Sequence, residues 1–222
     1  MSVSIIAGPA GTAAVEMLTR AAASYPITLF VPSLGAEPDE VIRRITAIAE
    51  KGATDRLIIQ CEAERAVMAY ASLFVENQNM PTLADIARLA GVAFAMEPGT
   101  ILDLPSCFIA EQLEFVSDIF VQATSEDETF GLARSIALTL NPRASVTSLS
   151  ETTIDAWARS SAGCFDFHDA MNNAGWRQLL GGSSPVLKRV TAFPYRARRP
   201  FHPERFWKLL QHDLAGVFRA KG

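Results

Sequence analysis

The chain alternates between short, continuously apolar runs and longer stretches with apolar residues at helical spacing. Residues 3–7, 27–31, 56–60, 92–96, 119–122 and 145–147 are apolar or β-branched and predict strands buried on both faces. Between them the pattern predicts helices over about 12–23, 38–51, 64–76, 82–89, 106–116 and 127–140. In the third of these, Ala66, Ala69, Tyr70, Leu73 and Phe74 fall on one face. A strand–helix alternation with apolar strands predicts the α/β class: a mainly parallel sheet flanked by helices on both faces. Ligands in such sheets sit beyond the carboxyl ends of the strands. The loops after Ala7, Gln60 and Gln122 are therefore where chemistry is expected.

After Ser150 the texture changes. Ser160-Ser161-Ala162-Gly163 and Gly181-Gly182-Ser183-Ser184-Pro185 have linker composition, and residues 166–180 between them read as short helical pieces around Trp176. A strand over 190–196 and a helix from Pro203 to about Phe218 follow, with Pro203 suited to a first helical turn. The organisation expected is an α/β domain over 1–150, a helical linker region over 151–189 and the start of a second domain over 190–222. One strand and one helix bury no core alone, so they either pack on the first domain or are completed by a partner. The strand would otherwise present an open edge.

Composition narrows the class. An apolar share of 49% and a charged share of 20% are ordinary for a globular chain. No apolar run reaches the roughly 18 residues of a membrane span, and Met1–Ile6 carries no basic start, so a cytoplasmic protein is expected. Cys61, Cys107 and Cys164 are odd in number and far apart, which excludes a disulfide framework and predicts three buried small hydrophobes. Net charge is −4, but residues 186–222 hold nine Lys/Arg against Glu204 and Asp213, a local +7 that leaves −11 on the rest. A basic tail on an acidic body predicts that the two face each other. No aromatic–basic motif supports nucleic acid, and nothing supports a membrane.

The first predicted strand runs into Gly8-Pro9-Ala10-Gly11-Thr12-Ala13-Ala14-Val15, which has the spacing of a phosphate-binding loop, G-x-x-x-x-G-K-[ST]. That loop works through a second glycine for close backbone approach, a lysine for the β- and γ-phosphates and a hydroxyl for magnesium. Here Ala13, Ala14 and Val15 stand at those three places. The spacing alone favours a plain strand-to-helix turn over a working phosphate loop.

Further along, Tyr195-Arg196-Ala197-Arg198-Arg199-Pro200-Phe201-His202-Pro203-Glu204-Arg205-Phe206-Trp207 closely resembles the signature that opens the C-terminal domain of CobW-type proteins. Gly175-Trp176, Glu111-Gln112-Leu113-Glu114-Phe115 and Asn141-Pro142-Arg143-Ala144 resemble three more of that family's segments, in family order. The resemblance implies a P-loop GTPase fold over 1–150, the beginning of a CobW-like C-terminal domain over 190–222, and metal or metallocofactor delivery coupled to GTP. In the family the second domain continues past the helix, so this chain reads as holding about half of it.

The resemblance also says what is missing. Gly8, Gly11, Thr12, Ala13, Ala14 and Val15 take the phosphate-loop positions. Gln60 and Ala63 replace the Glu and Gly of the family's Glu-x-x-Gly, and Gln122-Ala123-Thr124-Ser125 replaces its guanine-reading Asn-Lys-x-Asp. Between Pro32 and Thr54, where the family carries Cys-x-Cys-Cys, there is neither Cys nor His. His202 belongs to the signature and is expected in a structural hydrogen bond; His168, between Asp166 and Asp169, is expected on a solvated turn. No metal ligand set and no catalytic residue is assigned. Two functions are open: an accessory pseudo-GTPase working through protein contacts, and an atypical GTPase metallochaperone of the cobalt or zinc class, with GTP and magnesium as cofactors. Arg196, Arg198, Arg199, His202 and Arg205 are the expected contact surface for an intact relative, a client metalloenzyme or a second copy.

Overall fold

A computed structural model describes residues 1–21, 26–33, 35–52, 54–61, 66–76, 82–102, 107–160, 165–182, 189–196, 198–211 and 217–221. Six strands form one sheet: β1 Ser2–Ala7, β2 Thr28–Phe30, β3 Arg56–Gln60, β4 Arg88–Met96, β5 Asp118–Val121 and β6 Ser145–Ser148. Their order is β2-β3-β1-β4-β5-β6, and each neighbouring pair is parallel. Parallel pairing buries both faces of the inner strands, which is why β1, β3 and β4 read as largely apolar runs.

Helices α1 Gly11–Ala21 and α7 Glu151–Arg159 pack together on one face. Ala14, Val15, Leu18, Ile154 and Ala158 from these helices meet Ile6, Ile58, Ala93, Ala95 and Phe120 of the sheet. Helices α2 Pro38–Glu50, α3 Val67–Ala71, α4 Pro98–Leu102, α5 Cys107–Phe115 and α6 Glu128–Leu140 contribute to the larger core, around Ile5, Ile59, Phe94 and Ile119. Three short helices complete the described chain: α8 Phe167–Ala170, α9 Gly175–Leu180 and α10 Pro203–Gln211.

Two of the family-like segments are structural clasps. Gln112, buried in α5, accepts the Val67 N–H at 2.7 Å and so caps the start of α3. Asn141 is fully buried at the end of α6; its amide donates to the carbonyls of Leu113 at 3.0 Å and Val116 at 2.8 Å, tying the end of α6 to the end of α5. Each satisfies backbone groups that a helix end leaves open. Gly175 permits α9 to lie against α6, since a β-carbon there would run into the Thr139 carbonyl.

The structure corrects several sequence expectations. The helix predicted over 82–89 is one turn, in which Leu83 C=O accepts from Ile86 and Ala87, followed at once by β4. The apolar spacing of Leu83, Ile86 and Ala87 imitates a helix, but pairing of Arg88 with the start of β1 takes the chain into the sheet. The strand predicted over 190–196 is a single bridge at Val190; residues 191–196 are not paired. Residues 217–221 are not helical, so the last helix stops short of Phe218. Helix α7 opens the region expected as a helical linker, where the sequence placed helical pieces only over 166–180. Cys61 is buried as expected, but Cys107 is exposed at the start of α5. Cys164, His212, Ala63 and residues 183–188 lie outside the described residues.

Candidate functional site

Strand order reverses around β1, which places the sheet's switch point between β1 and β4. A ligand crevice is expected there, at the carboxyl ends of the strands. The segment after β1 closes it. Gly8 takes φ +101°, a value that favours glycine, and a β-carbon on it would overlap the Ala95 carbonyl of β4. The Ala10 N–H donates to that same Ala95 carbonyl at 3.0 Å, and the Gly11 N–H turns back to the Gly8 carbonyl at 2.9 Å. Helix α1 then begins at Gly11, and the Ala14 N–H already bonds the Ala10 carbonyl at 3.0 Å.

The helix therefore absorbs the second half of the eight-residue segment. Ala14 and Val15, at the lysine and hydroxyl positions, face inward and are buried under α1. Thr12 is exposed and Ala13 half-buried. The Gln60 amide, at the end of β3, donates to the Thr12 hydroxyl at 2.9 Å and crosses the start of the helix. At the guanine-reading positions Gln122, Thr124 and Ser125 are exposed, while Ala123 packs on the core and its carbonyl accepts from the Ser148 hydroxyl. A magnesium-bound triphosphate does not fit these residues. Two amides that would meet phosphate are already bonded within the chain, and the side chains at positions 14 and 15 are apolar and inward.

The basic tail divides into a docked part and a free part. Arg219 bonds Glu114 through Nε at 3.3 Å and reaches Glu111 at 3.7 Å, and the Lys221 ammonium lies 3.8 Å from Glu114. Lys221 also stands 4.9 Å above the centre of the Trp176 ring. The Glu111–Phe115 segment is thus a receptor for residues 219–221, and Arg189 pairs with Glu128 on α6. These contacts match the expectation that the tail faces the acidic body.

The signature itself does not. Arg196 donates to the Leu180 carbonyl at 3.2 Å, but Arg198, Arg199 and Arg205 are exposed and form no ion pair among the described residues. His202 is exposed; its carbonyl accepts the Phe206 N–H at 2.9 Å in the first turn of α10, while its ring makes no hydrogen bond among the described residues. Tyr195 stacks on Phe201 and Phe201 on Phe206, with ring centres 5.8 Å and 4.8 Å apart. All three remain exposed, as does Trp207. His168 sits in α8, whose cap is Asp166 accepting the Asp169 N–H at 2.8 Å. Among the described residues no group of three His, Cys, Asp or Glu is placed to hold a metal ion, and no helix is long and apolar enough to cross a membrane.

Comparison with known proteins places these features. The model of the cobalamin synthesis protein CobW C-terminal domain matches residues 190–222. The zinc-regulated GTPase metalloprotein activator 1 of Dictyostelium discoideum is 26% identical over 122 residues, which is 51% of this chain but 26% of that protein. The matched segment therefore spans about a quarter of that relative's length. In fold the chain is similar to a Zn(II)-bound triple mutant of the YjiA GTPase, with a TM-score of 0.54 at 15% identity over 92% of this chain and 67% of that one. Zn(II)-bound YjiA GTPase from E. coli gives 0.52 at 13% identity over 94% and 69%. Taken together, these likenesses make residues 190–222 similar to the CobW C-terminal domain and give the chain the fold of the YjiA GTPase.

Proposed function

We propose that this chain is a CobW-like accessory protein, a pseudo-GTPase that acts through protein contacts in the handling of a metal or metallocofactor. One observation carries the reading: the segment at the phosphate-loop position is tied to β4 by the Ala10–Ala95 hydrogen bond and continues directly into α1. Phosphoryl transfer rests on positioned cationic charge, and the buried Ala14 and Val15 supply none. The contact surface is the free part of the signature, Arg198, Arg199 and Arg205 beside exposed Tyr195, Phe201 and Trp207. Arginine and aromatic residues are the types that dominate protein interfaces. An acidic partner suits them, and an intact CobW-type relative or a client metalloenzyme is the partner expected, ahead of a second copy.

The test is affinity purification of the tagged chain from its own cell, beside a variant carrying Arg198→Glu, Arg199→Glu and Arg205→Glu. A CobW-type GTPase or a metalloenzyme should accompany the parent in fixed ratio and be lost from the variant, whose circular dichroism and melting should be unchanged. A parent that purifies as a partner-free monomer would overturn the reading. The competing function, a GTP-hydrolysing metallochaperone, is favoured by the first-turn amides of Thr12 and Ala13, which have no acceptor within the helix. Magnesium-dependent GTP turnover by the pure chain would put that function first.

A further inference from the structure

The opposite end of the sheet holds a second polar site. On the face beneath α1 and α7, side chains alternate along each strand, and toward the carboxyl ends the row is apolar: Ile6, Ala93, Ala95 and Phe120. One step toward the amino ends it becomes polar. Ser4 of β1 lies beside Gly91 of β4, and Asp118 of β5 beside Ser145 of β6, with Thr147 next along β6. These residues line a cavity of about 440 Å³ whose outer wall is Trp157 and Ala156 of α7. Gly91 leaves room for the indole, since a β-carbon there would stand 3.2 Å from Trp157 Nε1.

The polar groups are only half used. Trp157 Nε1 donates to Asp118 Oδ2 at 3.1 Å and the Ser117 hydroxyl donates to the same oxygen at 2.8 Å. Asp118 Oδ1 has no partner among the described residues, and no Lys, Arg or His pairs with this carboxylate there. Ser4 is 7% exposed, lines the cavity, and its hydroxyl makes no hydrogen bond among the described residues. Ser145 and Thr147 also line it, and their hydroxyls make no hydrogen bond among the described residues. Phe120 packs edge-on to Trp157, with ring centres 5.8 Å apart.

A partly buried carboxylate without a cation is costly to keep, and burial holds the Asp118 carboxyl above its ordinary range despite its two donors. What is missing is a positive charge carrying hydrogen-bond donors. A divalent metal would ask for about six oxygen ligands, and one carboxylate between aromatic walls does not provide them. An ammonium asks for fewer: one carboxylate, a few hydroxyls and an aromatic face.

We propose that this cavity binds a small organic cation of the primary-ammonium class. Its N–H groups donate to Asp118 Oδ1 and to the hydroxyl of Ser145, paired beside it on β6, and its carbon body lies against Phe120 and Trp157. The site is independent of the phosphate-loop segment, which lies at the other end of β1.

The probe is benzylamine, with benzyl alcohol as its neutral counterpart, titrated into the ¹⁵N-labelled chain. The indole N–H resonance of Trp157, assigned with Trp157→Phe, reports on the cavity. Benzylamine should shift it saturably, and the alcohol should bind at least about tenfold more weakly. Asp118→Asn keeps an acceptor for Trp157 and Ser117 but lacks the charge, and should lose about tenfold in amine affinity. Ser145→Phe fills the cavity from its exposed rim and should abolish the shift while leaving the melting curve in place. Equal binding of amine and alcohol, amine affinity unchanged in Asp118→Asn, or no saturable shift up to about 10 mM, a Kd that marks the weak end of specific binding, would each overturn the proposal.

Discussion

Replacing Ala14 by lysine supplies the side chain that a phosphate-binding loop uses, and this structure predicts damage rather than repair. Ala14 has no exposed surface and lies in the cluster that includes Ile6, Ile58, Ala93 and Ala95. A lysine there must push a four-carbon stem into a packed interior, which costs about 1–3 kcal/mol. Its ammonium has no acid among these neighbours, and an unpaired buried charge adds several kcal/mol more. A conservative total is about 3 kcal/mol, a large share of the roughly 5–15 kcal/mol that holds a domain together. For a chain of this size about 2–4 °C accompanies each kcal/mol, so the melting temperature should fall by roughly 6–12 °C. Thermal and urea melts followed by far-ultraviolet circular dichroism measure this. Glu16→Lys on the exposed side of the same helix is the control and should stay within about 0.5 kcal/mol of the parent. An Ala14→Lys variant that melts with the parent, or gains magnesium-dependent nucleotide binding, would refute the reasoning. It would mean that residue 14 faces an open loop and that α1 starts later than Gly11.

Three further outcomes follow from particular contacts. Burial raises the Asp118 pKa, so the fold favours its neutral form; the stability this contributes is complete below the unfolded value near pH 4 and is lost as pH rises through the folded value. Asp118→Asn should therefore gain stability over the parent at neutral pH and lose that advantage in acid, as paired urea melts would show. Gln112→Leu strands the Val67 N–H that Gln112 now accepts at 2.7 Å, and should cost about 1–3 kcal/mol by urea denaturation. Glu114→Gln weakens the clasp on Arg219 and Lys221 by about 1.5–3 kcal/mol, read as faster amide exchange over residues 217–221 with the sheet unaffected.

The parallel sheet was legible because each strand is a short apolar run between helical patterns, and the structure has these six strands. Helix α7 was not, although its cap is specific. Ser150 accepts the Thr153 N–H, and the Thr153 hydroxyl accepts the Ser150 N–H at 3.0 Å, a capping box with threonine where the familiar pattern has Glu or Gln. The strand expected over 190–196 followed local propensity, but a strand is made by its neighbours, and beyond Val190 none pairs with it. At the candidate site the residue types at positions 13, 14 and 15 could be read directly. That the helix absorbs those positions could not, because it depends on Ala95 of β4 accepting the Ala10 N–H, a contact between residues 85 apart. The polar cavity was equally hidden. Asp118 and Ser4 carry no motif, and only the strand register brings them to one end of one face.

The central proposal is that the segment after β1, with its Ala10 and Gly11 amides bonded within the chain, holds no nucleotide. Equilibrium binding of a fluorescent GTP analogue to the purified chain, with and without magnesium, tests it most directly. The account predicts no saturable binding up to about millimolar concentration in either condition, a free energy weaker than about −4 kcal/mol. Micromolar, magnesium-dependent binding, about −8 kcal/mol, would contradict it, because the Ala10–Ala95 and Gln60–Thr12 contacts would then have to open for a phosphate at modest cost.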